Sequence, residues 1–325
     1  MSRIHSLYCP FTPKVHPGAS SVHERSILWA QSLGMLPSEH HVRAAHKART
    51  GWLIARAFPT ATLGELQLIA DWTVLFCVLD DHIEKLKTAV EVEMYLQYLL
   101  HVFQTDVARY SEDPFALGMI NLRQRILAMA SSSHLTYCAG QLAELFAGNV
   151  IEARERERAK IPDLASYLQL REVTIGLQVM LALADLREGP RLPDCVRENL
   201  ALQKLVTRAS HIVGLANDLF TYEKEILQGE LHNIVLVLMK ERRLTTAEAV
   251  AQAVAFHDAE VRSFLRETAQ LPSFGATDAC VRRHVEMLKC WIRGHLDWAR
   301  ETGRYRPLEE PAGGQARLAS RSVAA

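Results

Sequence analysis

The stretch LQLIADWTVLFCVLDDHIEK, residues 66–85, decides the fold. Wound as a helix it is apolar on nearly every side, and a helix of this kind is buried in the middle of its domain. It nevertheless ends in three acidic side chains, Asp80, Asp81 and Glu84. A buried carboxylate is costly unless a positive group meets it. We therefore predict a central helix whose inner end either reaches solvent or meets a cation.

The spacing of the three acidic residues bears on this choice. Asp80 and Glu84 are four residues apart, so both lie on one face of a helix, whereas Asp81 points about 100° away from Asp80. Like charges at this spacing are mildly destabilising without a counter-charge. Hard divalent cations prefer carboxylate oxygens and would neutralise the pair. A solvated helix end is the alternative interpretation of these residues taken alone.

A second column of oxygen donors follows in NDLFTYEKE, residues 217–225. Asn217, Thr221 and Glu225 are spaced at i, i+4 and i+8, which aligns an amide oxygen, a hydroxyl and a carboxylate on one helix face. The three side chains carry one negative charge together. They fit a weak Mg²⁺ site that is completed by phosphate oxygens of a substrate. The preceding segment, HIVGLA, is apolar, so we expect this column to face inward as well.

The rest of the chain shows helical periodicity, and we find no run of residues that indicates a β-strand. The residues Thr62–Glu65 and Thr245–Glu248 have the spacing of capping boxes, which begin helices. The pattern predicts an all-α protein with a single large domain. The predicted helices span residues 21–36, 39–57, 63–85, 90–110, 114–131, 134–158, 163–186, 194–229, 245–269 and 276–301.

The two ends of the chain have a different composition. Residues 1–20 are punctuated by proline and glycine and are predicted to cross the surface in extended form. Residues 309–325 contain few bulky apolar side chains and are predicted to be a disordered tail. The helical domain is accordingly predicted to span residues 21–308.

Composition excludes several classes of partner. Lys+Arg and Asp+Glu both number 37, so bulk charge does not favour a nucleic acid or an anionic membrane. No run approaches the roughly 18 apolar residues of a membrane span. The six cysteines form no CxxC pair, and most of them are interpreted as reduced core residues. The start of the sequence has no apolar run of signal-peptide length, so we expect a cytoplasmic protein.

The two acidic motifs together resemble those of class I terpene synthases, in particular the bacterial terpene cyclases that make sesquiterpenes. DDHIE is similar to the aspartate-rich motif of that family, and NDLFTYEKE to its triad of the NSE/DTE type. The resemblance covers roughly residues 8 to 308. The triad pattern is fairly specific, whereas DDxxE alone is not. The family implies an α-helical bundle around an apolar cavity that is open at one end.

The resemblance also implies a metal site. Three Mg²⁺ ions, for which Mn²⁺ is an alternative, would bridge the two motifs and a prenyl diphosphate. Asp80 would be the chief ligand of the first motif and Glu84 a less regular one, while Asp81 would orient a neighbour. Asn217, Thr221 and Glu225 would hold the remaining ion, with threonine standing where serine is more common.

Further positions agree with the family. Arg171 lies 46 residues before Asn217, where the family keeps an arginine that senses the diphosphate. Lys224 and the pair Arg304-Tyr305 stand where the family has further diphosphate-binding residues. Residues 174–176 depart from the pattern, since the bacterial members often carry Asp and a small residue at the third and fourth positions after the arginine. Here these positions are Thr174 and Ile175.

The implied reaction begins with loss of diphosphate to leave an allylic cation, and no general base starts it. The cation needs a dry cavity with aromatic faces. The candidates are Trp72, Phe76, Phe220 and Trp298, and Phe76 is preferred because it lies one helical turn before Asp80. The final proton could go to the released diphosphate, since the sequence names no base.

Several alternatives stay open. Family members of this length most often use the C15 substrate farnesyl diphosphate, with geranyl or geranylgeranyl diphosphate as alternatives. A chain-elongating prenyltransferase would need an acidic second motif, which residues 217–221 do not supply. An inactive helical binding protein is a further possibility. A di-iron carboxylate bundle is excluded, because no Glu is followed by His three positions later. The sequence allows a monomer or a homodimer.

Overall fold

The computed structural model describes residues 7–109, 112–186 and 192–305. Within these ranges the chain forms fourteen α-helices, one short 3-10 turn and no β-strand, which confirms the predicted all-α class. The helices are α1 (Ala19–Ser32), α2 (Glu39–Ala48), α3 (Thr50–Ala57), α4 (Leu63–Ile83), α5 (Ala89–Thr105), α6 (Pro114–Met129), α7 (Ser132–Glu157), α8 (Leu164–Thr174), α9 (Leu177–Ala184), α10 (Asp194–Arg197), α11 (Leu200–Gln228), α12 (Ile234–Arg242), α13 (Thr246–Ala269) and α14 (Asp278–Glu301).

Helix α4 is the predicted central helix. Its start is fixed by a capping box in which the Thr62 hydroxyl accepts from the Glu65 backbone N–H and the Glu65 carboxylate accepts from the Thr62 N–H. Most of its side chains are buried, and it packs against α1, α3, α6 and α9. The helix ends at Ile83, and Glu84 caps it in a helical conformation, so the acidic triplet stands at its carboxyl end.

Helix α11 is the second element that positions the site. It is 29 residues long, begins at Asn199, whose side chain caps it, and ends at Gly229 in the left-handed conformation. It packs against α8, α12, α13 and α14. Helices α3 and α14 pack closely together and so join the side of the bundle that carries α4 to the side that carries α11. A cavity lies between α4 and α11.

Three predicted helices are each divided in the structure. The predicted helix 39–57 breaks at Arg49, whose φ of 52° is left-handed. The predicted helix 163–186 breaks at Gly176, with φ of 71°, and the predicted helix 194–229 breaks at Asn199. In each case the apolar periodicity continues across the break, because both halves bury a face against the same core. A pattern of apolar residues therefore does not reveal the change of direction.

Helix α12 was missed by the sequence analysis. It begins after Asn233, whose side-chain oxygen accepts from the Val235 backbone N–H, and its first residues are IVLVLM. This run is apolar throughout and half of it is β-branched, so it has no amphipathic signal for a helix. The helix packs against α8, α11 and α13 and buries Ile234, Val235, Val237 and Leu238.

The structure describes only part of the two chain ends for which the sequence made a prediction. Residues 7–18 form no helix or strand before α1 begins at Ala19. The predicted tail, residues 309–325, lies outside the described residues. In the part of the chain that is described, no helix has both the length and the hydropathy that a membrane span requires.

The contact between α3 and α14 depends on the absence of a side chain at Gly294. A Cβ atom there would lie 2.8 Å from Arg56 Cβ, 3.0 Å from the Arg56 carbonyl carbon and 3.2 Å from Ala57 N. We expect Gly294→Ala to lower the free energy of unfolding by about 1–3 kcal/mol, because backbone atoms have to move apart. Urea denaturation followed by circular dichroism measures the change.

The control is Gly140→Ala in α7, where an added Cβ meets nothing within 4 Å. Alanine is the better helix former, so this variant should be neutral or more stable by up to about 1 kcal/mol. Equal changes in the free energy of unfolding in the two variants would show that the close packing at Gly294 does not contribute to stability.

Candidate active site

A cavity of about 280 Å³ lies between the carboxyl-terminal part of α4 and the middle of α11. Its mouth carries polar side chains and its interior is apolar, with Leu53, Leu79, Val92 and Val213 among the lining residues. Ten of the eleven residues that comprise the predicted polar residues and the preferred aromatic residue, Phe76, line it. These are Phe76, Asp80, Glu84, Arg171, Asn217, Thr221, Lys224, Glu225, Arg304 and Tyr305.

Asp81 is the predicted polar residue that does not line this cavity. Its carboxylate forms a bidentate pair with Arg304, in which Nη1 donates to Oδ2 at 2.9 Å and Nη2 to Oδ1 at 3.0 Å. The same Nη2 reaches Asp80 Oδ2 at 3.3 Å. Asp81 therefore holds the guanidinium of Arg304 beside Asp80, as the expectation that it orients a neighbour implies. A bidentate pair of this kind is strong and directional.

The column on α11 is held by hydrogen bonds from three directions. Arg171 Nη2 donates to Asn217 Oδ1 at 2.7 Å, and Asn217 Nδ2 donates to the Tyr305 hydroxyl at 2.5 Å. The Thr221 hydroxyl donates to the backbone carbonyl of Asn217 at 3.0 Å. Glu225 Oε2 accepts from Asn233 Nδ2 at 2.8 Å. The amide, the hydroxyl and the carboxylate thus share the predicted face of one helix.

The acidic side chains at the mouth have raised pKa values. Enclosure by protein raises the pKa of Glu84 to about 8, and Asp80 and Glu230 add to the rise. Burial likewise raises the pKa of Glu225 to about 7, with Asp218 contributing. Protein surrounds Asp80, but 55% of its side-chain surface remains exposed to the open cavity.

Divalent cations fit this donor set. The side chains that face the cavity from both columns offer oxygen atoms, the ligands that hard cations prefer, and burial makes the carboxylate form of Glu84 and Glu225 costly without a cation. Asp80 and Glu84 on α4 could hold ions from one side of the mouth. Asn217, Thr221 and Glu225 on α11 could hold one from the other side.

Arg171 is the predicted arginine of α8, and it is almost fully enclosed. Its Nη2 lies 2.8 Å from Asp218 Oδ1 and its side chain is 14% exposed. Gly214 makes room for it, since a Cβ there would lie 3.0 Å from Arg171 Cγ. Burial opposes the charge on Arg171, but the Asp218 carboxylate outweighs it and the net pKa is raised, so the guanidinium stays charged at the cavity wall.

Asp218 is a functional residue that the sequence analysis missed. Its side chain is fully buried, and its Oδ2 accepts from the Tyr167 hydroxyl at 2.6 Å and from the Ile234 backbone N–H at 2.7 Å. It thereby anchors α8 and α12 to α11 and fixes Arg171. The signal for Asp218 in the sequence was a charged residue inside the apolar run around NDLF. Only the neighbouring Asn217 was assigned to the site.

The aromatic lining differs in part from the prediction. Phe76 and Trp298 line the cavity, whereas Trp72 lies behind Phe76, with ring centroids 5.3 Å apart. Phe220 packs on Tyr305 with centroids 6.4 Å apart and is not part of the lining. Trp291, which was not predicted, lines the cavity instead. It lies seven residues before Trp298 on α14, two helical turns away on the same face.

The segment that departs from the family pattern also reaches the cavity. Thr174, Ile175 and Gly176 line it beside Arg171, at the break between α8 and α9. Gly176 has φ of 71°, a conformation that favours glycine, and it turns the chain so that Met180 on α9 also faces the cavity. The departure in sequence therefore coincides with a turn in the cavity wall.

We expect Asp218→Ala to lower the free energy of unfolding by about 3–5 kcal/mol, because it leaves Arg171 charged, buried and unpaired. Guanidinium denaturation followed by circular dichroism gives the value. Asp194→Ala is the control. Its side chain is 84% exposed and pairs only with Arg197 among the described ion pairs. Asp194→Ala should lower the free energy of unfolding by no more than about 1 kcal/mol. A similarly small loss in Asp218→Ala would contradict the role assigned to Asp218.

Comparisons with known proteins agree with this geometry. The family model described as terpene synthase family 2, C-terminal metal binding, matches residues 71–263. Germacrene A synthase of Nostoc punctiforme is 29% identical over 93% of this chain and 95% of its own. The (+)-T-muurolol synthase of Roseiflexus castenholzii, a (2E,6E)-farnesyl diphosphate cyclizing enzyme, is 28% identical over 94% of both chains.

Solved structures show the same fold. Germacradien-4-ol synthase from Streptomyces citricolor superposes with a TM-score of 0.79 at 20% identity, over 91% of this chain and 98% of that one. Hedycaryol synthase superposes with a TM-score of 0.77, also at 20% identity, over 90% of this chain and 97% of that one. The family match covers more than half of the chain and includes both oxygen columns. The chain therefore belongs to the terpene synthase family 2, and it is a class I terpene synthase of the bacterial type.

Proposed function

We propose that the enzyme is a Mg²⁺-dependent sesquiterpene cyclase that ionises farnesyl diphosphate, cyclises the resulting cation and releases diphosphate. The observation that carries the proposal is the facing of two oxygen columns, one on α4 and one on α11, across the mouth of a single apolar cavity. The product is a sesquiterpene hydrocarbon or, if water ends the reaction, an alcohol.

The proposed metal ligands are the residues that the two columns bring to the mouth, namely Asp80, Glu84, Asn217, Thr221 and Glu225. When bound, divalent cations neutralise charge on the diphosphate and so assist its departure as a leaving group. Three Mg²⁺ ions are proposed, with Mn²⁺ as the alternative. Glu225 is held by Asn233, which keeps its carboxylate on the face of α11 that carries the other two ligands.

The cationic and phenolic side chains of the mouth would bind the diphosphate. Arg171 and Tyr305 both contact Asn217, so the diphosphate-binding groups and the proposed metal ligand on α11 are positioned as one unit. Arg304 is held beside Asp80 by Asp81, and Lys224 lines the same mouth. Pre-positioned donors of this kind stabilise the charge that develops on the leaving oxygen.

The interior of the cavity would protect the cation. Phe76, Trp291 and Trp298 present aromatic rings, which attract positive charge, and the aliphatic lining excludes water that would end the reaction early. Phe76 is held by Trp72 and by Phe146, whose ring centroid lies 6.2 Å away. A ring packed in this way keeps its face at a constant position against the hydrocarbon chain.

The choice of a C15 substrate is supported by the relatives. The T-muurolol synthase of Roseiflexus castenholzii is a farnesyl diphosphate cyclizing enzyme. The cavity volume of about 280 Å³ lies just below the usual range for small-molecule sites, which favours a shorter chain over geranylgeranyl diphosphate. Geranyl and geranylgeranyl diphosphate are the alternative substrates.

The purified enzyme should convert farnesyl diphosphate and Mg²⁺ into a cyclic C15 product, which gas chromatography with mass spectrometry identifies. We expect EDTA to abolish turnover and added Mg²⁺ to restore it, because the proposed divalent cations neutralise charge on the departing diphosphate. Parallel reactions contain geranyl or geranylgeranyl diphosphate, or farnesyl diphosphate with isopentenyl diphosphate. No terpene from any substrate would discard the cyclase proposal, and longer diphosphates would restore the prenyltransferase alternative.

We expect Asp80→Ala and Asn217→Ala each to lower kcat/KM by about 10²–10³-fold or more, because each removes a proposed ligand where charge develops. Diphosphate release measures turnover, and circular dichroism checks that the variants stay helical. The matched control is Glu223→Ala, an exposed carboxylate on α11 that hydrogen-bonds to Tyr222. Full activity in either ligand variant would remove that residue from the site.

A further inference from the structure

Helix α7 forms a third wall of the cavity, and neither the predicted site nor the proposed function includes it. Four of its residues that line the cavity are Leu145, Asn149, Glu152 and Arg156. They follow one another at intervals of four, three and four residues, so they share one face of the helix. The column begins with an apolar side chain and ends in a guanidinium, one residue before the last residue of α7. This wall therefore carries a positive charge that has no assigned function.

Arg156 lies at the same end of the cavity as the two oxygen columns. Its Nε donates to Glu230 Oε2 at 3.1 Å, and the Glu230 backbone N–H donates to the Glu225 carbonyl at 3.0 Å. Glu230 directly follows Gly229, which ends α11, and it lines the cavity as well. The charge of Glu230 also contributes to the raised pKa of Glu84. Arg156 is therefore joined through one carboxylate to a proposed metal ligand on α11, and that carboxylate lies near another on α4.

The terminal nitrogens of Arg156 are accessible and have no hydrogen-bond partner among the described residues. The hydrogen bond to Glu230 uses Nε and leaves Nη1 and Nη2 unoccupied. Neither atom belongs to the buried polar atoms that lack a partner, so both have accessible surface. The side chain is 30% exposed and lines the cavity. Two parallel N–H donors of a guanidinium match two oxygen atoms of a phosphate group.

We propose that Arg156 is a further diphosphate-binding residue, which donates from Nη1 and Nη2 to the diphosphate of the substrate. This inference rests on the proposed cyclase function. The ion pair with Glu230 holds Nε and so fixes the orientation of the guanidinium without using the terminal nitrogens. The other proposed cations, Arg171, Lys224 and Arg304, belong to α8, α11 and the segment after α14. Arg156 adds a contact from α7 and stabilises the charge that develops on the leaving oxygen.

The test measures the binding of inorganic pyrophosphate in the presence of Mg²⁺ by isothermal titration calorimetry. We expect Arg156→Gln to raise the dissociation constant at least about tenfold, because hydrogen bonds between charged groups are lost. Circular dichroism checks that the variant stays helical. The matched control is Arg154→Gln on the same helix, since Arg154 pairs with Glu93 at 2.7 Å and does not line the cavity. This control should bind pyrophosphate as tightly as the wild-type enzyme.

Two further variants distinguish a direct contact from simple compensation of charge. Glu230→Gln keeps an acceptor for Arg156 Nε and removes a negative charge, so pyrophosphate should bind as tightly as to the wild-type enzyme or more tightly. A double variant, Arg156→Gln with Glu230→Gln, should keep the loss of affinity of the single Arg156 variant. If Arg156 only neutralised Glu230, the double variant would recover the wild-type affinity, because both charges of the pair are then absent.

Two results would overturn the inference, namely recovery of affinity in the double variant and wild-type affinity in the folded Arg156→Gln variant. If that variant does not fold, Arg156→Lys replaces it. Lysine keeps the charge but lacks the two parallel donors, so its dissociation constant should rise several-fold, and wild-type affinity would again contradict the inference. Failure of the wild-type enzyme to form a terpene from any prenyl diphosphate is a different outcome, measured in separate reactions, and it would count against the cyclase function itself.

Discussion

The structure depends on the burial of opposite charges at one end of the bundle. Arg171 faces Asp218 inside the core, and Arg304 faces the acidic end of α4. A charge in such a place is tolerated only when its partner is held in good geometry, because the loss of hydration is large. Tyr167 and the backbone of α12 supply that geometry for Asp218. The same buried interactions therefore determine both the packing of α8, α11 and α12 and the position of the site.

The helix ends place most of the polar groups at the mouth of the cavity, and the interior is mainly apolar. Helix α4 carries a long apolar run into the bundle and α11 a short one, HIVGLA at residues 211–216, and oxygen-donor side chains follow in both helices. Because oxygen donors follow these runs at helical spacing, they face each other across the mouth rather than solvent. The aromatic face of α14 closes the opposite wall. Chemistry that requires both strong charge and a dry pocket is thereby divided between the two ends of one small cavity.

Much of this arrangement could be predicted from the sequence, and the omissions have physical causes. The spacing of Asp80 with Glu84 and of Asn217 with Thr221 predicts that each pair shares a helix face, and the resemblance to class I terpene synthases implied that the two faces meet. Trp72 was assigned to the cavity because periodicity shows that a residue is buried but not which neighbour covers it. Helix α12 and the breaks at Arg49 and Gly176 were missed, since they depend on tertiary packing and on backbone conformation. The predicted location in the cytoplasm and the oligomeric state stay predictions.

The bidentate ion pair between Arg304 and Asp81 has a thermodynamic consequence for ion binding. Any cation that approaches Asp80 meets the guanidinium of Arg304, whose Nη2 lies 3.3 Å from Asp80 Oδ2. The ion and the arginine therefore compete for the same negative charge, and by linkage each weakens the binding of the other. An incoming polyanion reverses the sign of this coupling, because it offers the guanidinium another partner and the ion further ligands. If the proposed ions and diphosphate bind here, their affinities rise together, and the ions bind only weakly to an empty pocket.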